Sequence, residues 1–180
     1  MMILFSIIIP YLLGSINGAY YITKLFKKQD IRTLKSGNAG ATNAGRVLGK
    51  KGFLLTVLID AAKTWFALWV SVLWFGNTDW SVLSALIFVF LGHLYPVHLQ
   101  FRGGKGVVVY LAGALWFEPL TLAAVAVVMG ISYSVLRSYT FSGFTAILSV
   151  PITLFWSYGL TVVPIGMSAA FILLLVVHRR

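Results

Sequence analysis

The chain contains no cysteine, so disulfides, thiolate metal sites and a cysteine nucleophile are all excluded. Acidic residues number four, and charged residues of both signs make up only 10% of the 180 positions. That is too few for the surface of a soluble globular domain. The three histidines, His93, His98 and His178, lack the acidic neighbours that a metal site needs, and neither a metal nor a cofactor is expected. The N-terminus has no basic segment ahead of its apolar run and no small-residue cleavage site. It reads as a retained first span rather than a removed signal. No internal repeat of the kind carried by many transporters is visible.

What is present is oil. Hydrophobic residues make up 59% of the chain and the mean hydropathy is +0.93, which points to an all-α integral membrane protein. Seven apolar segments can be drawn, at about 3–22, 53–75, 80–97, 106–117, 120–136, 141–157 and 160–177, and a single domain of seven transmembrane helices over 1–180 is expected. A net charge of +10 would suit nucleic acid in a soluble protein. Here it reports topology, and no nucleic-acid partner is expected. With the N-terminus outside and the C-terminus cytoplasmic, thirteen of the fourteen Lys and Arg fall in loops of one face. The remaining one, Lys63, lies within the second segment, within snorkelling reach of that face. Trp65, Trp74, Trp80, Trp116 and Trp156 fit interfacial belts, and Gly14 and Gly18 have the spacing of a helix-packing pair.

Against this background two clusters are unusually polar and rich in glycine. Ser36-Gly37-Asn38-Ala39-Gly40-Ala41-Thr42-Asn43 is followed by Arg46. Its glycines allow close backbone approach, its hydroxyls and amides offer neutral hydrogen bonds, and Arg46 offers a fork suited to phosphate. Ser36 is a candidate ligand or proton-handling group. The competing reading is a flexible connection, but at about 30 residues the segment is long, and long ordered loops tend to be functional. The second cluster, Arg102-Gly103-Gly104-Lys105-Gly106, opens an apolar helical run. Its N–H groups and Lys105 can face an anion. It is not a Walker loop, since Gly106 stands where Ser or Thr would be required. Asp60 and Lys63, three apart on one helical face, read most simply as a salt bridge supporting the loops. His93 reads as structural. His178, at a helix C-terminus, serves either a phosphate or its own helix. Both clusters and His178 are expected on the cytoplasmic face, suggesting a phosphorylated substrate.

Taken together these residues resemble the bacterial acyl-phosphate:glycerol-3-phosphate acyltransferases of the PlsY type. The resemblance rests on Gly14-Ser15-Ile16, on Asp30-Ile31-Arg32, and on Ser36-Gly37-Asn38-x-Gly40-Ala41-Thr42-Asn43-x-x-Arg46-x-x-Gly49. It continues through Asp60-x-x-Lys63, Gly92-His93 with Pro96, and Phe101-x-Gly103-Gly104-Lys105-Gly106-Val107. It implies a seven-span enzyme of the bacterial inner membrane with a cytoplasmic site, expected to act as a monomer. Its partners would be membrane lipid, acyl phosphate and glycerol 3-phosphate, and its product lysophosphatidic acid, the first step of phospholipid synthesis. Carried onto this chain, it implies catalytic roles for Ser36, Arg46, Lys105 and His178. Substrate or phosphate contacts would come from Gly37, Asn38, Gly40, Thr42, Asn43, Gly103, Gly104 and Gly106, with Asp60, Lys63 and His93 in support. An activated mixed anhydride asks for positioning and charge stabilisation more than for a strong nucleophile. In keeping with that, no His-x-x-x-x-Asp pair occurs at His93 or His98.

Some positions depart from the family pattern. Lys35 and Thr64 stand where it usually has Gly, Asn17 where Pro is common, and Val108-Val109 where Ala-Thr is usual. The family's tail carries an Asn three residues beyond the final histidine, whereas the sequence here runs to Arg180. Two alternatives are therefore set beside the enzyme: a transporter or binding protein for a phosphorylated solute, and a catalytically impaired paralogue with a shortened tail.

Overall fold

A computed structural model describes the backbone of residues 2–179 and the side chains from Phe5 to Arg179. Met1 and Arg180, on which the expected retained start and the end of the shortened tail fall, lie outside the described residues. The regular elements are helices: α1 (Met2–Ser15), α2 (Gly18–Lys27), α3 (Ala41–Phe75), α4 (Asp79–Leu94), α5 (Val107–Phe117), α6 (Leu120–Leu136), α7 (Tyr139–Tyr158) and α8 (Val162–His178).

Local chemistry sets the ends. The Asn17 side chain accepts from the Tyr20 N–H and starts α2 in the middle of an apolar run. Thr78 and Ser81 form a reciprocal capping box at the start of α4. Gly76 and Gly159, with φ of 83° and 62°, stop α3 and α7.

The chain divides into two compact units, Met1–Val109 and Tyr110–Arg180, with the boundary inside α5. In the first unit α1 lies against α4 and α3, α2 against α3, and α3 against α4. The α1–α4 crossing is close because it is built from glycine. A β-carbon on Gly14 would collide with the Val89 backbone, and one on Gly92 with the Tyr11 carbonyl. Gly18 faces a different partner, the Thr56–Asp60 stretch of α3. The expected Gly14/Gly18 pair is thus split by the break at Asn17 and serves two interfaces. In the second unit α6 packs on α7, and α7 on α8. The Tyr110 hydroxyl donates to the Met167 carbonyl at 3.2 Å, and the Tyr158 hydroxyl to the Phe117 carbonyl at 2.6 Å.

Three sequence expectations are corrected. The first is the count of seven transmembrane helices. Among the described residues four segments are long and apolar enough to cross a membrane: Phe5–Lys27, Ala41–Phe75, Asp79–Leu99 and Tyr139–Tyr158. The helices Val107–Phe117, Leu120–Leu136 and Val162–His178 are shorter, at 11, 17 and 17 residues. At about 1.5 Å per residue they reach roughly 16 and 25 Å, short of a hydrocarbon core of about 30 Å. The architecture is an all-α membrane fold with about four spanning helices, and the assignment of the termini to opposite faces, which needed an odd count, falls with the seven. The second correction concerns the long polar loop. It ends at Gly40, so Thr42, Asn43 and Arg46 are helical, and what looked like a loop end near residue 52 is a break in α3 at Gly49, with φ 73°. Third, Lys63 does not snorkel: it is 6% exposed and held inside the first unit.

Candidate functional site

The connection from α2 to α3 is held by its own side chains. Lys28 closes α2 in the left-handed region, and Asp30 then caps a single 3₁₀ turn, Ile31–Thr33, by accepting from the Arg32 N–H at 2.9 Å. The Arg32 guanidinium folds back onto the same carboxylate, with Nε 3.0 Å from both oxygens and Nη2 2.7 Å from Oδ2. The guanidinium beside it holds the Asp30 carboxyl below the usual carboxylate range, and the carboxylate in turn raises Arg32. The Tyr20 ring lies 5.7 Å from the guanidinium carbon. Ile31 is buried with Ala19, Ala39 and Ala44, and this small apolar cluster pins the loop at both ends.

Asn43 fastens the loop from the first turn of α3. Its Nδ2 donates to the carbonyls of Leu34 at 3.0 Å and Ile31 at 3.3 Å, and its Oδ1 accepts from the Ser36 N–H at 3.2 Å. The amide is buried and its capacity goes to the loop backbone. Ser36 and Thr42 are exposed, and Asn38 is half-buried. Gly40 caps α3 with extended backbone and no side-chain cap bond, and the helix dipole at this end favours an anion. Arg46, four residues after Thr42 and on the same helical face, is exposed.

The second cluster is shaped by the end of α4. After Pro96 a 3₁₀ turn, Val97–Leu99, is followed by Gln100 and Phe101, both left-handed with φ of 57° and 59°. This reverses the chain onto the helix it has just left: the Gly103 N–H donates to the Leu94 carbonyl at 3.0 Å, and the Gly104 N–H to the His93 carbonyl at 3.1 Å. The reversal needs glycine. A β-carbon on Gly103 would strike the His93 carbonyl, and one on Gly106, at φ 81°, the Phe90 ring. Lys105, between them, is half-buried.

The two clusters meet. Gly104 sits against Ala39, so closely that a β-carbon would lie 2.7 Å from the Ala39 carbonyl oxygen. That same oxygen accepts from Asn17 Nδ2 at 3.0 Å. A second tie runs from Arg32 Nη1 to the Leu99 carbonyl at 2.5 Å. Beneath the junction lie Asp60, Lys63 and His93, all buried: Lys63 Nζ is 3.0 Å from Asp60 Oδ1 and 2.8 Å from His93 Nδ1. His178 belongs to the second unit, where its Nδ1 is 2.9 Å from the Leu174 carbonyl and its ring stands edge-on to Phe144. Sequence reasoning passed over Asn17 and the Asp30–Arg32 pair as site-building residues. The signals were there: Asn just before a helical run is a helix start, and acid–x–base in a polar connection can close on itself.

Fold and site together define a multi-pass membrane protein with a basic, glycine-lined junction in its first unit. Residues 4–180 match the family model for glycerol-3-phosphate acyltransferase, and the chain belongs to that family. It is 40% identical over 177 residues to glycerol-3-phosphate acyltransferase 1 of Desulfitobacterium hafniense, covering 98% of this chain and 87% of that one. It is 34% identical over 174 residues to the enzyme of the same description from Bacillus cereus, covering 97% and 94%. The crystal structure of PlsY, an integral membrane glycerol 3-phosphate acyltransferase in its glycerol 3-phosphate form, superposes with a TM-score of 0.86 at 34% identity, over 98% of this chain and 88% of that one. The lysophosphatidic acid form of the same enzyme gives a TM-score of 0.83.

Proposed function

We propose that the chain transfers a fatty acyl group from acyl phosphate to glycerol 3-phosphate in the bacterial inner membrane, and that the junction of the two glycine clusters is where it does so. Family membership supports the reaction. The observation that supports the site is the meeting of Ala39 and Gly104, which brings the two glycine clusters and their cations, Arg46 and Lys105, onto one unit.

In the reaction the acceptor hydroxyl oxygen attacks the acyl carbonyl carbon. A new ester C–O bond forms, the carbon–oxygen bond to phosphate breaks, and inorganic phosphate leaves with the electron pair. The hydroxyl proton passes to a phosphate oxygen, so no strongly basic side chain is required. Arg46 and Lys105 hold the phosphates, the first turn of α3 and the Gly103–Gly104 backbone approach them closely, and Ser36 contacts the reacting end of the acceptor. Asn43 and Gly37 shape the loop that presents Ser36. The basic residues gathered around both clusters argue for the cytoplasmic face, where a soluble phosphorylated acceptor is available.

Purified protein supplied with acyl phosphate and glycerol 3-phosphate is expected to form lysophosphatidic acid and inorganic phosphate in equal amounts. Phosphate release without the lipid product, or uptake of intact glycerol 3-phosphate into vesicles, contradicts this function.

A further inference from the structure

Lys63 lies buried within α3, and no step of the acyl transfer uses it. Its ammonium carries three donors and faces four acceptors. These are the Gly14 carbonyl at 2.9 Å, the Ile16 carbonyl at 2.5 Å, Asp60 Oδ1 at 3.0 Å and His93 Nδ1 at 2.8 Å. The two carbonyls are free to accept because the chain breaks between α1 and α2. Asp60 supplies the countercharge and also accepts from the Gly18 N–H at 3.2 Å. An ammonium cannot accept, so His93 Nδ1 is the acceptor and the ring proton sits on Nε2.

That tautomer and ring angle matter at the other edge of the imidazole. A β-carbon on Gly104 would collide with His93 Nε2 and lie 3.0 Å from Cε1. The ring therefore forms the floor under Gly104, while the His93 carbonyl holds the Gly104 N–H at 3.1 Å. With 6% exposure, Lys63 cannot reach a substrate, and its hold on this loop runs through His93. We infer that Lys63 is a positioning residue for glycerol 3-phosphate binding, acting through His93 to fix the Gly104 backbone where the two clusters join. The inference rests on the acyltransferase function proposed above.

Lys63→Met keeps the length of the side chain and removes every donor. Loss of one charge-assisted hydrogen bond from the loop's support is expected to raise KM for glycerol 3-phosphate by about tenfold or more. The kcat at saturating substrate should stay within about threefold of wild type, since no step of the transfer uses Lys63. A second pair keeps the test open if that variant does not fold. His93→Asn retains an acceptor near the Nδ1 position and His93→Leu does not, so the Asn variant should have the lower KM for glycerol 3-phosphate. Three results overturn the inference while leaving the function intact: an unchanged KM for glycerol 3-phosphate in Lys63→Met, a fall in kcat larger than the rise in KM, or equal KM values in the two His93 variants. A wild-type protein with no glycerol 3-phosphate-dependent turnover overturns the function itself and the inference with it.

Discussion

Asn43 is the residue on which the first cluster depends most. One buried carboxamide satisfies two carbonyls and one N–H of the loop, so Asn43→Ala leaves three backbone groups short of partners. The expected loss is about 3 kcal/mol, read as a fall in the thermal midpoint of the detergent-solubilised protein. Asp30 gives a pH dependence of known sign. Its carboxyl is held below 3.8 by Arg32, so its stabilising contribution is complete above that value and is lost as pH falls through the lowered one. Unfolding midpoints should decline more steeply below pH 3.8 in the wild type than in Asp30→Asn; parallel acid limbs contradict the pairing. Lys35 shows how a departure from family pattern can be read physically. It sits at φ 51°, where glycine is unstrained, so Lys35→Gly should be neutral or stabilise by up to about 1 kcal/mol.

At the scale of elements, residue order showed less than it promised in one place and more in another. Leu120–Leu136 coincides with the segment drawn from hydropathy, because Pro119 and Arg137 punctuate it. The break at Asn17 was hidden in an unbroken apolar run, and with it the role of Lys63. The acceptors that bury this cation are backbone carbonyls of Gly14 and Ile16, which carry no side-chain signature. The start of α3 was hidden for the opposite reason: a polar, glycine-rich helical turn looks like a loop until its packing is known. The glycines at the α1–α4 crossing make the element-scale prediction. Gly92→Ala pushes a methyl into the Tyr11 carbonyl and should destabilise by about 1–3 kcal/mol, measured by thermal unfolding.

For the whole molecule, hydropathy gave the class and overcounted the spans, since apolar helices of 11 and 17 residues look alike to a composition window and differ in reach. The family followed from the order of two clusters in the chain, and the structure adds that they touch. The lack of cysteine makes the proposed cytoplasmic face directly testable. A single Lys35→Cys should react with an impermeant maleimide only from the cytoplasmic side, and Asn77→Cys, in the turn after α3, only from the opposite side. The central claim is that acyl transfer occurs where the two clusters meet. Its most direct test is glycerol 3-phosphate-dependent release of phosphate from acyl phosphate by the wild type, Arg46→Ala and Lys105→Ala, compared at equal amounts of folded protein. Each substitution should lower the rate by about 100-fold or more; a wild-type rate in either variant contradicts the site.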